Sequence, residues 1–195
     1  MLSIETIAAI ASVGTLFVLG AGAIAAVVQL RHVRNSYQLD ALLSLQKDFK
    51  SSEIQTALCY VQEELPEKLS EKSYRDELEV LGFINMTKHP ELVVCNWFNE
   101  IGTLIKNDLV STHLFMELFG KLVVYYWKIL TPVIAIVRRN RGDWQYHDFE
   151  YLAIHAAAWL KAYPRGRFDP RLKRDRLHDP FAELDQTPIT ATQCE

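Results

Sequence analysis

Thr6–Leu30 reads TIAAIASVGTLFVLGAGAIAAVVQL, without one charged side chain. At about 1.5 Å of rise per residue this makes a helix of roughly 37 Å, enough to cross a hydrocarbon core of about 30 Å. A charge at the centre of such a helix would cost roughly 2.5–3.5 kcal/mol on insertion scales, so its absence is informative. Gly14, Gly20 and Gly22 would weaken a helix in water but are common in lipid. A transmembrane span over about residues 6–30 is therefore expected, within an anchor comprising residues 1–34.

The flanks separate an anchor from a cleaved signal peptide. A signal peptide places basic residues before its apolar stretch. Here Glu5 precedes it, and Arg31, His32 and Arg34 follow. The same asymmetry predicts an N-terminus outside and a C-terminal part in the cytoplasm. Ala8, Ser12, Thr15, Gly22 and Ala26 recur at helical spacing, interrupted by Leu19, and form a face on which a second helix can pack closely. Self-association through that face is expected.

Beyond the anchor the composition is that of a folded protein. The 195 residues carry 21 Lys+Arg against 24 Asp+Glu, a net charge of −3, with 11 % aromatic residues, which excludes wholesale disorder. Three scattered cysteines exclude both a disulfide scaffold and a Cys-rich zinc module.

Helical periodicity dominates from residue 35. Leu39, Leu42, Leu43 and Phe49 extend the anchor helix, since no Gly or Pro intervenes. Ser52 with Gln55 resembles a capping box, opening a helix that should stop at Pro66. A short helix is expected from about Ser73 to Leu81, capped by Gly82. Pro90 followed by Glu91 reads as the start of the next, the acid complementing the helix dipole. Ser111 opens the longest segment, in which Pro132 should cause a kink or break. Lys128 and Pro132 make its apolar stretch, residues 122–137, a core helix rather than a second span. A last helix is expected from about Asp148 to Tyr163. No stretch alternates with period two between turn signals, so no sheet is predicted.

The fold class is thus all-α: a single N-terminal transmembrane helix, then a cytoplasmic bundle of five or six helices over residues 35–163. Residues 164–195, punctuated by four prolines and rich in Arg, read as a flexible tail.

Three stretches, CNWFNEIG at 95–102, YYWK at 125–128 and FEYL at 149–152, resemble a family of uncharacterised bacterial proteins grouped as a domain of unknown function. The likeness extends from the anchor to about Pro164. It implies a bacterial, membrane-anchored helical domain and lends no catalytic residues. The corresponding location is the bacterial inner membrane.

Candidate chemistry is sparse. His113 and Glu117 are four residues apart and can share a helix face, but a metal needs three or four ligands, so no metal site is expected. Neither a Gly-rich phosphate loop nor a nucleophile elbow occurs, and no cofactor is expected. Cys59 and Cys95 fall among apolar helical neighbours, as small core residues do. Arg141 and His147, with five residues between them, resemble the motif of helical ribonucleases, in which His moves a proton and Arg holds a phosphate. Asn96, Asn99 and Glu100 lie among aromatics and read as a solvated helix face. Residues 51–137 sum to −5 and residues 138–179 to +4. Arg138, Arg139 and Arg141 could therefore meet anionic lipid. Acids interleave in the basic segment, so nucleic acid is not an expected partner.

These features predict a binding, assembly or signalling module at the membrane, one specific form being an effector in defence against phage. The alternative is a membrane-tethered ribonuclease using Arg141 and His147.

Overall fold

A computed structural model describes residues 4–181 apart from 170, 176 and 178; for residues 4–16 it describes the backbone alone. Among the described residues there are seven helices and no strand. They are α1 (Ile4–Phe49), α2 (Ser52–Glu63), α3 (Leu65–Lys68), α4 (Lys72–Leu78), α5 (Pro90–Lys106), α6 (Thr112–Arg141) and α7 (His147–Ala162).

The expected continuity of the anchor with the first amphipathic stretch is present: α1 runs unbroken for 46 residues. Its two parts meet different surroundings. Leu42 and Leu45 are buried in the core and Phe49 packs against Trp97 and Phe119, whereas Phe17 to Leu30 stay exposed. Both α1 and α6 are long and apolar enough to cross a membrane. In α6 the apolar character is used inside the protein: Phe115, Phe119, Val123, Tyr126, Leu130, Val133 and Val137 are buried.

Helices α5, α6 and α7 make the centre of the bundle, with α2 laid against α5. Phe98 stacks on Phe149 at 4.8 Å between α5 and α7, and Trp127 of α6 meets the same Phe149 ring edge-on at 5.0 Å. Rings packed in this way contribute roughly 0.5–1.5 kcal/mol beyond the area they bury.

Three local expectations need correction. The N-cap of α2 is Ser51 rather than Ser52; its hydroxyl accepts from the Ile54 amide, while Gln55 donates to the Phe49 carbonyl at 2.6 Å. Pro66 does not end that helix. The chain turns at Glu64, and Pro66 sits in the first turn of α3, where its missing N–H costs nothing.

The short helix α4 ends at Leu78, before Gly82, because the end of α6 takes the carbonyls that follow. Asn140 donates to the Glu79 carbonyl at 2.7 Å, and Arg141 to those of Val80 and Gly82. Pro132 does not break α6. It lies on the exposed side with Lys128, so the carbonyl left without its helical donor can meet water. Thr131 beside it donates to the Trp127 carbonyl at 2.7 Å.

Candidate functional site

Two polar clusters and one apolar groove stand out. The first cluster is built on the start of α5. Pro90 fixes the first helical position, which turns Glu91 inward rather than towards water, and the carboxylate is completely buried. Its Oε1 accepts from the Tyr74 hydroxyl of α4 at 2.7 Å and faces Nδ1 of His89 at 3.0 Å. Tyr60 of α2 lies 2.9 Å from the Tyr74 oxygen and, since Tyr74 donates to Glu91, is the donor to Tyr74. His89 is itself buried, and its Nε2 faces Glu77 at the surface, 3.2 Å away. The Oε2 oxygen of Glu91 is buried with no hydrogen-bond partner.

This chain of groups ties α2, α4 and α5 together. Burial, with Tyr60 and Glu91 beside it, pushes the Tyr74 phenol far above its ordinary value, so it remains a donor. One turn along α5, burial and the nearby Glu91 likewise raise the Cys95 thiol, which favours its protonated form.

The second cluster joins α5 to the start of α7. Asp148 is almost fully buried. Its carboxylate accepts from the Thr103 hydroxyl at 2.7 Å and from Lys106 at 3.0 Å, and lies 3.0 Å from His147 Nε2. Burial alone would raise the Asp148 carboxyl; the Thr103 and Lys106 hydrogen bonds and the charge of His147 outweigh it and hold it below the usual carboxylate range.

The residue before α7, Tyr146, adopts a left-handed conformation and supplies no side-chain cap. Asn99 of α5 supplies one instead, its carbonyl oxygen accepting from the Phe149 amide at 3.2 Å. Gly102 lets the two helices approach this closely: a Cβ there would lie 2.0 Å from the Asp148 carbonyl oxygen.

Arg141 and His147 belong to separate networks. One guanidinium nitrogen of Arg141, Nη2, donates to the Val80 and Gly82 carbonyls. His147 places Nδ1 3.1 Å from the Trp144 carbonyl, and its Nε2 lies 3.1 Å from Lys106 Nζ and 3.0 Å from Asp148. Arg138 pairs with Glu150 at 2.8 Å and Arg139 with Glu79. Of the polar residues on α5, Glu100 is exposed as expected, whereas Asn99 is the cap just described. Among the described residues no group of three or more His, Cys, Asp or Glu is placed to hold a metal ion.

The groove lies between α1 and the turn joining α5 to α6. It encloses about 800 Å³, and its walls are mainly Leu30, Val33, Tyr37 and Ala41 on one side and Leu104 and Leu109 on the other. Across it Arg34 pairs with Asp108 at 3.4 Å, both side chains exposed, and Gln38 donates to the Asp108 carbonyl at 2.9 Å. On the membrane-packing face named above, Gly22 and Ala26 are exposed, and a Cβ added at Gly22 would meet nothing within 4 Å. The side chains of Ala8, Ser12 and Thr15 lie outside the described ones, as does Cys194 in the expected tail.

The sequence pattern did not reveal the Glu91 cluster, because an acid behind a proline at a helix start ordinarily faces solvent. The one available signal was His89 immediately before Pro90, where a capping Ser or Asp would be usual.

The fold and its polar clusters define an all-helical bundle fastened internally and carried on a long apolar N-terminal helix. The chain belongs to the family described as Domain of unknown function (DUF4760), whose model matches residues 16–156. No curated protein and no solved structure matches it.

Proposed function

We propose that this protein is a single-pass binding and assembly module of the bacterial inner membrane, its N-terminus outside and its bundle in the cytoplasm. The observation that carries the reading is the unpartnered apolar length of α1. Phe17, Leu19, Ile24 and Leu30 are 79 %, 66 %, 68 % and 68 % exposed, in a helix whose other end is part of the bundle core. Apolar surface left in water costs about 25 cal/mol per Å², and lipid removes that cost. Arg31 and Arg34 directly after the uncharged stretch support the orientation. The open face at Gly22 and Ala26 supports pairing of two copies within the bilayer.

Fractionation of cells expressing the full chain tests the anchor. Retention in the membrane pellet after alkaline carbonate, with a C-terminal reporter active only in the cytoplasm, is the expected result. Recovery in the high-speed supernatant overturns it. Crosslinking in mild detergent tests assembly: a dimer that is lost in Gly22→Leu supports it, and monomer alone refutes it.

A further inference from the structure

The groove between α1 and the α5–α6 turn has a position that its lining alone does not explain. Its first residue, Leu30, is also the last residue of the uncharged stretch, so its apolar wall continues the apolar surface of α1 without interruption. From Leu30 to Ala41 it rises roughly 16 Å along the helix, while the headgroup layer of one leaflet is about 5–8 Å deep. Leu30, Tyr37 and Leu109 are 68 %, 70 % and 55 % exposed on its walls. Arg31 and Arg34 stand exposed at the same level.

The opposite end of the bundle is remote. Asp108 meets α1 at Arg34, and Phe119 meets it fifteen residues further on at Phe49, so α6 ascends beside α1 in the same sense. Over Thr112–Arg141 it then covers roughly 44 Å. The Arg138, Arg139 and Arg141 cluster is therefore carried away from the end of the uncharged stretch, and Arg31 and Arg34 are the cations nearest a bilayer.

Resting on the membrane reading above, we infer that bilayer lipid enters the Leu30 end of this groove and that the α5–α6 turn lies in the headgroup layer, with an anionic headgroup at Arg31. Continuity decides for lipid as the occupant, because the groove's wall prolongs the exposed apolar length of α1. Arg31 stands exposed where that wall begins, and an anionic headgroup complements its charge, whereas Arg34 already faces Asp108. Tyr37 fits the same place, since an amphipathic ring is favoured at a membrane interface.

The test uses the full chain reconstituted in phosphatidylcholine vesicles with or without phosphatidylglycerol. A photo-crosslinking benzoylphenylalanine replaces Leu109 in one variant and Phe83, which is exposed beside His89 at the opposite end of α5, in another. Lipid adducts at position 109 and none at 83 are expected. Phosphatidylglycerol should increase the adduct at 109, and Arg31→Gln should abolish that increase. Vesicle-bound chain that gives no lipid adduct at 109, or an adduct to a second copy in its place, overturns the inference and leaves the anchor standing. Chain that does not float with the vesicles overturns the anchor itself, and the inference with it.

Discussion

Gly102→Ala should be among the most damaging single-atom additions this fold can receive. The new Cβ would sit 2.0 Å from the Asp148 carbonyl oxygen and 2.5 Å from its carbonyl carbon. Carbon–oxygen contacts close at about 3.3 Å, so α5 and α7 must separate by more than an ångström. Both obstructing atoms are backbone, and no rotamer change relieves the clash. A displacement of that size stretches the Thr103 and Lys106 bonds to Asp148, now 2.7 and 3.0 Å, past hydrogen-bond reach, and loosens the Asn99 cap on Phe149. Overpacking costs roughly 1–3 kcal/mol, and a lost hydrogen bond to a charged group about 1.5–3 kcal/mol. A loss of roughly 3–5 kcal/mol follows, a large part of a typical stability of about 5–15 kcal/mol. Denaturant titration of the full chain in mild detergent, followed by tryptophan fluorescence, measures it. Gly82→Ala is the control, since a Cβ there comes no closer than 3.8 Å to Val80. A Gly102→Ala variant within about 0.5 kcal/mol of the parent, the scatter of an inconsequential substitution, would refute the α5–α7 contact.

Tyr74→Phe removes a donor from a fully buried carboxylate and should cost about 1.5–3 kcal/mol in the same titration; an unchanged midpoint would mean that Glu91 is not held by the phenol. Asp148 has a folded pKa below its unfolded one, so its contribution is present above about pH 3.9 and is lost as pH falls through the lower folded value. Asp148→Asn should therefore flatten the acid limb of stability against pH measured by circular dichroism, and a limb of unchanged slope would count against the cluster.

How far the sequence could be read depended on the range of each interaction. Helix identities follow from local periodicity, and α5 begins at Pro90 as its residues predict. The length of α1 was legible because nothing between residues 30 and 49 can stop a helix. Helix ends were read less well, since distant groups set them: α4 stops where Asn140 and Arg141, some sixty residues on, take the carbonyls that follow it.

The polar clusters were hidden for the same reason. Glu91 reads as a dipole partner until Tyr74 and His89 are brought over it, and Asn99 reads as a solvated residue until Phe149 arrives. Gly102 was visible only as one letter of the family pattern; that it must be glycine emerges from the backbone of another helix.

The dependence of α7 on α5 also orders events during synthesis. The last long helix has no start of its own: Asn99 and Lys106, made some forty to fifty residues earlier, complete its first turn. A nascent chain released after Arg141 would leave the ring of Phe98 and the notch at Gly102 uncovered, with nothing to dock there. Such a fragment offers quality-control proteases a greasy, half-built surface, and the bundle becomes durable only once its final sixteen-residue rod has been delivered.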